Sequence, residues 1–252
     1  MRNNDVPINV LVTRPAHQSS ELCALLSAHG YQPICYPTIE IQALEETAAA
    51  TQKLSHCGDI DYLIFVSANA VTSAHTLLNN AWPATHAGIV AIGPKTAKSL
   101  QFIGLKPDII ATQPFDSEGL LAQLPTQLHS LRCLIIKGEG GRTTLAEGLL
   151  QRGMQVDSVD VYKRGLAQNS PTLLEQSIHY ITITSQLALD NLFLLLSGKA
   201  AELKQHSIFV VFSQRIADHA KSLGCQHILI SSEASDNALL TCINNSNKSV
   251  CF

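Results

Sequence analysis

Three stretches of this chain recur in the same order about 120 residues further on. INVLVTRPAHQSSELCALLSAHGYQPICY, from Ile8, parallels LRCLIIKGEGGRTTLAEGLLQRGMQVDSV, from Leu131. DYLIFVSANAVTSAHTLL, from Asp61, parallels HYITITSQLALDNLFLLL, from His179. GIVAIGPKTAKSLQFIGLKPDIIA, from Gly88, parallels IFVVFSQRIADHAKSLGCQHILIS, from Ile208. Gly30 thus answers to Gly153, Ser67 to Ser185 and Gly93 to Ser213. The period is longer than the roughly 20–50 residues of solenoid repeats. It suits two similar lobes, each large enough to hold its own core. Any two strand–helix units look alike; three in one order make chance similarity a poor explanation.

Within each stretch an apolar run gives way to a turn and then to helical spacing. Residues 8–12 read as a strand, and Thr13-Arg14-Pro15 as a turn with Pro15 placed for a first helical turn. A helix over 19–29 carries Leu22, Leu25 and Leu26 on one face and closes at Gly30. Strands follow at 32–36, 62–66 and 89–92. The 62–66 run is apolar throughout, as in a strand covered on both faces. Helices are expected from Ser67-Ala68-Asn69 through Leu78 and over 95–102. Strands alternating with helices of this length predict parallel sheets and an α/β fold. The polar run 244–249 reads as a frayed terminus.

With 46% hydrophobic residues and 15% charged, against about 25% in an average domain, the 252-residue chain has ample material for cores. No run of 18 apolar residues predicts a membrane span. The N-terminal stretch lacks the pattern of a secretory signal. A net charge of −3 argues against nucleic acid as the main partner. The seven cysteines are odd in number and none stand at C-x-x-C spacing, which speaks for reduced thiols in a cytoplasmic protein rather than a zinc site or disulfide framework.

In open parallel sheets ligands bind beyond the carboxyl ends of the strands. The loops expected there are Thr13-Arg14-Pro15, Ser67-Ala68-Asn69, Gly93-Pro94-Lys95-Thr96, Lys137-Gly138-Glu139-Gly140-Gly141-Arg142, Thr184-Ser185-Gln186 and Ser213-Gln214-Arg215. All lead into helix N-termini, whose free N–H groups and positive partial charge attract anions. Two lobes would aim six such ends at a shared cleft, and Arg14, Lys95, Lys137, Arg142 and Arg215 add cationic side chains. Taken singly, Ser67, Ser185 and Ser213 are ordinary N-caps, and Gly93 serves a tight turn. The case for an anionic small molecule rests on the set. The GEGGR loop fails the dinucleotide spacing because position 143 is Thr143, and fails the P-loop because Arg142-Thr143 follows without the four-residue gap or the Gly-Lys-Ser/Thr. No G-x-S-x-G motif or H-E-x-x-H motif occurs.

The ordered series VTRP (from Val12), DYLIFVSANAV (from Asp61), AIGPKTAKSL (from Ala91), FDSEGLL (from Phe115), KGEGGRTTLAEGLLQRGMQVDSVDVY (from Lys137) and ITITS (from Ile181) resembles the uroporphyrinogen-III synthase family over nearly the whole chain. The resemblance implies two flavodoxin-like parallel-sheet α/β lobes joined by a two-stranded linker. The first lobe would be 1–36 with 165–252, the second 42–159, and the linker strands 37–41 and 160–164. The repeats alone would have suggested a cut near Thr126.

The resemblance further implies a lyase that closes hydroxymethylbilane, a linear tetrapyrrole with eight carboxylates, to uroporphyrinogen III without metal or organic cofactor. The terminal pyrrole is inverted through a spiro intermediate. Tyr162 matches the family's tyrosine and is the candidate proton donor for the departing hydroxyl. The competing reading of Tyr162 is an aromatic filling the junction of linker and lobe. Thr96 matches a threonine facing the cleft. Ser67 and Ser185 match the loop serines of the two lobes. Thr13, Arg14, Gly93, Lys95, Lys137, Gly138, Arg142, Ser213 and Arg215 complete the candidate substrate contacts. One departure stands out: Ile216 occupies a position where the family shows threonine, which puts a substrate contact there in doubt. A monomer is expected, with no nucleic acid or membrane as partner. The alternative is a two-lobed binder of an anionic small molecule without catalysis.

Overall fold

The computed structural model describes residues 7–141, 143–168 and 176–250. Its elements run β1 (Asn9–Val12), α1 (Ser20–Ala28), β2 (Gln32–Cys35), β3 (Ile39–Gln42), α2 (Ala48–Ser55), β4 (Tyr62–Phe65), α3 (Ala68–Leu77), β5 (Gly88–Ala91), α4 (Pro94–Phe102), β6 (Ile109–Ile110) and α5 (Ser117–Gln123). They continue with β7 (Arg132–Gly138), α6 (Thr144–Gln151), β8 (Gln155–Leu166), β9 (Tyr180–Ile183), α7 (Gln186–Leu195), α8 (Ala200–His206), β10 (Ile208–Val211), α9 (Gln214–Ser222), β11 (His227–Ile230) and α10 (Asp236–Val250). The chain forms two compact units, residues 1–40 with 165–252, and residues 41–164.

Among the described residues, the first unit holds a sheet ordered β2-β1-β9-β10-β11, with its paired strands parallel. This is the 2-1-3-4-5 order of flavodoxin-like folds. The second unit's sheet is ordered β3-β8-β7-β4-β5-β6. Its strands from β8 to β6 are parallel, each to the next. Setting β3 aside, the two sheets superpose in order: β8 answers to β2, β7 to β1, β4 to β9, β5 to β10 and β6 to β11. These are the pairs that the repeated stretches predict. Each copy of the repeat is therefore divided, giving two strands to one unit and three to the other. The strand at residues 39–42, β3, lies at the edge of the second sheet beside β8.

Apolar strands place a core on both faces of each sheet. In β4, Leu63 and Phe65 enter one cluster and Ile64 the opposite one. In β1, Leu11 faces one way and Val10 and Val12 the other. The period of two along an all-apolar strand is what a doubly covered sheet requires. Truncating a fully buried ring such as Phe65 or Phe209 to alanine would cost about 3–5 kcal/mol.

Local differences from the sequence reading have identifiable causes. A 3-10 turn at Ala16–Gln18 precedes α1, and the Ser19 hydroxyl donates back to the Arg14 carbonyl at 3.0 Å, so α1 begins at Ser20. Gly30 closes α1 at φ +83, as expected of a left-handed cap. The polar run 244–249 is not frayed but continues α10. Ile243 is fully buried, and the Tyr31 hydroxyl donates to Asn244 Oδ1 at 2.7 Å, which together hold that helix onto the sheet. No described helix is long and apolar enough to cross a membrane.

Candidate functional site

In the second unit the strand order reverses between β4 and β7, the switch point at which α/β sheets bind ligands. β4 ends into Ser67, whose backbone is extended and whose Oγ accepts from the Ala70 N–H at 3.0 Å, capping α3. β7 ends at Gly138. There the pairing with β8 slips: Lys137 stands opposite Asp160, but Gly138 stands opposite Tyr162. The extra residue, Val161, makes a bulge, a device that re-aims the side chain beyond it. Val161 and Tyr162 are consequently both buried, although neighbours on a regular strand face opposite ways.

The bulge carries the Tyr162 ring onto Gly138. A Cβ at position 138 would lie 2.4 Å from the ring Cζ, so the glycine is required by this packing and not by phosphate binding. The Glu139 N–H donates to the Tyr162 carbonyl at 2.8 Å, locking the loop to the strand. The Tyr162 Oη sits 3.3 Å from Ser67 Oγ and accepts from Arg164 Nη2 at 3.1 Å. The Arg164 guanidinium also lies 5.5 Å from the centre of the Tyr162 ring, a cation–π arrangement. The ring is 1% exposed, so Tyr162 both fills the junction, as its packing reading has it, and presents a hydroxyl to two polar partners.

Beside this point lies a cavity of about 470 Å³, within the range of small-molecule sites. Val66, Ile135, Leu145 and Ala146 give it apolar walls, and Lys137, Arg164, Thr143 and the backbone of Gly140 and Gly141 give it a polar rim. Gly140 and Gly141 take φ +71 and +93, conformations that L side chains rarely adopt.

The remaining candidates divide sharply. Lys137 is committed within its unit, pairing with Asp160 at 2.6 Å and donating to the Gly140 carbonyl at 3.2 Å. Arg14, at the equivalent place after β1, is 7% exposed; it pairs with Asp236 and lies 5.1 Å from the Phe212 ring. Thr13 is fully buried, and its hydroxyl donates to the Thr182 carbonyl at 2.7 Å, tying β1 to β9. Thr13 and Arg14 are therefore internal ties of the first unit rather than open ligand groups. Ser185 caps α7 by accepting from the Ala188 N–H at 3.1 Å. Ser213 stands at the start of α9 but makes no side-chain cap, unlike Ser67 and Ser185. Arg215 is exposed and donates to Gln186 Oε1 at 3.2 Å. Lys95 is exposed on α4. Arg142 lies outside the described residues.

One expectation is corrected, and one residue is more covered than a loop position suggests. Gly93 does not serve a turn that needs glycine: its φ of 172 is extended, and what a side chain would meet there is Phe115 Cβ, at 3.1 Å. Thr96 does not face outward. It is 3% exposed, on the buried face of α4 with Ala97 and Leu100. Its counterpart Ile216 is 2% exposed, on the buried face of α9 with Ala217 and Ala220. The threonine and the isoleucine thus stand at equivalent, nearly covered positions of their helices. Arg164 was not singled out from the sequence. Standing two residues after Tyr162 on one strand, it shares that residue's face, and the period of two was the signal for it.

A family model described as Uroporphyrinogen-III synthase HemD matches residues 20–241. The uroporphyrinogen-III synthase of Escherichia coli K12 is 28% identical over 92% of this chain and 98% of its own length. That of Salmonella typhimurium LT2 is 30% identical, again over 92% and 98%. Among solved structures, the uroporphyrinogen-III synthetase of Helicobacter pylori aligns with a TM-score of 0.61 at 17% identity, covering 96% of this chain and all of that one. A mutant uroporphyrinogen III synthase from Thermus thermophilus aligns at 0.59 and 17%, covering 96% and 99%. The structural likenesses establish the two-unit α/β fold.

Proposed function

Because this chain belongs to the uroporphyrinogen-III synthase family, we propose that it cyclises hydroxymethylbilane to uroporphyrinogen III. Water leaves from the terminal hydroxymethyl carbon, giving an azafulvene cation. The far end of the chain attacks, the last ring is inverted through a spiro intermediate, and a proton is lost on rearomatisation. The open chain closes unaided to the uninverted type I isomer. Selectivity therefore means stabilising the spiro route relative to direct closure, chiefly by fixing the shape of a flexible substrate.

The observation that carries this reading is the convergence of Ser67, Gly138, Tyr162 and Arg164 on the switch point of the second sheet, beside a cavity with an apolar wall and a cationic rim. Tyr162 supplies the proton to the departing hydroxyl in this reading. Within the second unit, the substrate's carboxylates are met by the helix N-termini that begin after Ser67 and Gly93, and by Lys95. The protein works as a cytoplasmic monomer, with no metal or organic cofactor.

The test is isomer analysis. Hydroxymethylbilane generated in situ and incubated with the purified chain should give predominantly the type III macrocycle. Type I alone would mark the chain as a binder without chemistry. Tyr162→Phe should lower turnover about a hundredfold, within the range of general acid catalysis, while leaving the type III isomer as the product; unchanged turnover would remove Tyr162 from the donor role.

A further inference from the structure

We propose that Arg164 is a positioning residue for the Tyr162 hydroxyl, fixing the direction in which the phenol gives up its proton, and that Ser67 is the group it points to. The inference rests on the reading of Tyr162 as donor and adds how that donor is oriented. A guanidinium can only donate. Its Nη2–H, 3.1 Å from Tyr162 Oη, occupies a lone pair of the phenol oxygen. A cation at that distance also turns the phenol's own proton away from itself. Among the described residues, the other partner of the hydroxyl is Ser67 Oγ, at 3.3 Å.

Ser67 Oγ in turn accepts from the Ala70 N–H at 3.0 Å. With that lone pair taken and the other facing Tyr162, the serine's own hydrogen is free to point outward from the start of α3. The three groups form a one-way chain from Arg164 through Tyr162 to Ser67, anchored at one end by a fixed charge and at the other by a helix cap. A proton leaving the serine for a substrate hydroxyl is replaced from the phenol, and the adjoining guanidinium steadies the oxygen left behind. No ion pair holds Arg164 elsewhere among the described residues, so its charge stays available to that oxygen.

Four chains decide the matter: Arg164→Gln, Arg164→Lys, Tyr162→Phe and the Arg164→Gln/Tyr162→Phe double variant, each assayed for kcat and KM on hydroxymethylbilane. Arg164→Gln should lower kcat about tenfold or more with KM little changed, the loss expected of one charged hydrogen bond. Arg164→Lys should restore only part of it, because an ammonium lacks the planar fork. In the double variant the Arg164 effect should vanish, since its target oxygen is gone. A rise in KM with kcat intact would show Arg164 reading a substrate carboxylate, and full additivity in the double variant would show it acting independently of Tyr162; either overturns the inference. If Tyr162→Phe alone leaves kcat unchanged, the donor reading fails first and takes this inference with it. A further readout independent of turnover is the ¹³Cζ resonance of Tyr162, which should move in Arg164→Gln; an unmoved resonance also overturns the proposal.

Discussion

The Tyr162 ring occupies the volume that a side chain at Gly138 would fill: a Cβ there would stand 2.4 Å from Cζ and 2.6 Å from Cε2. Glycine at the end of β7 and tyrosine beyond the bulge in β8 are one device. The first supplies the space, and the second uses it to bring a phenol to Ser67.

Gly138→Ala should therefore act as a displacement of Tyr162. The added methyl cannot coexist with the ring, and a forced shift of this kind costs about 1–3 kcal/mol. Urea unfolding should show that loss, and turnover should fall at least as far as in Tyr162→Phe. Wild-type stability and turnover in this variant would mean that the ring packs elsewhere.

Arg14 and Asp236 should behave as a structural pair. Arg14→Ala leaves a half-buried carboxylate without its partner, and Asp236→Asn removes the charge but keeps the shape. Each should destabilise the chain, Arg14→Ala by roughly 2–4 kcal/mol. The double variant should lose less than the sum, with a coupling of about 1–2 kcal/mol in thermal or urea unfolding. KM should change little. A large KM effect with unaltered stability would return Arg14 to the ligand-binding groups.

Ile216→Thr, which restores the residue type of the matching helix, should harm rather than help. It puts a hydroxyl among Ala217, Ala220 and the neighbouring apolar cluster. The expected cost is about 1–3 kcal/mol, with no gain in turnover. Improved turnover at equal stability would show that position 216 meets the substrate after all.

Thiol reactivity should follow burial. Cys35 is exposed, whereas Cys133 and Cys225 are buried. Burial pushes the Cys133 thiol up to about 12 and that of Cys225 up to about 11. Cys23 is pushed up to about 12, first by burial and then by its contact with Cys35. A raised thiol pKa keeps the group neutral and a poor nucleophile until the pH approaches that value. Maleimide at pH 7.5 should thus label Cys35 ahead of Cys23, Cys133 and Cys225, and Cys133 and Cys225 should react only in urea. Mass spectrometry of the digested protein reads the order; early labelling of Cys133 in the folded chain would contradict the packing described.

The strand–helix alternation was legible because the central strands are apolar on both faces and their helices start after the caps Ser67 and Ser185 or at Pro94. The repeated stretches also announced which strands match, down to β7 answering β1. They could not announce the division of the chain, because each repeat is shared between two sheets and only strand pairing decides which. At the site, Tyr162 was legible by resemblance, whereas Arg14, Lys137, Thr13 and Thr96 read as loop groups open to a ligand. Their partners, Asp236, Asp160 and the Thr182 carbonyl, are distant or off-register in sequence, and the buried face of α4 is set by packing. Arg164 was within reach of strand periodicity alone.

The sharing of each repeat between sheets also orders events during synthesis. Residues 41–164 emerge as one unbroken stretch and can pair β4 through β8 as soon as they are made. β1 and β2 appear earlier, yet Val10 waits for Tyr180, its partner across the sheet. At ribosomal speeds of about 5–20 residues per second, that wait is on the order of ten to thirty seconds. For that interval an apolar β1–α1–β2 fragment rides on the nascent chain with its inner edge unclaimed. β1 and β2 thus precede the second unit in the chain yet belong to the sheet completed after it, and they are the strands most in need of shelter from others until β9 arrives.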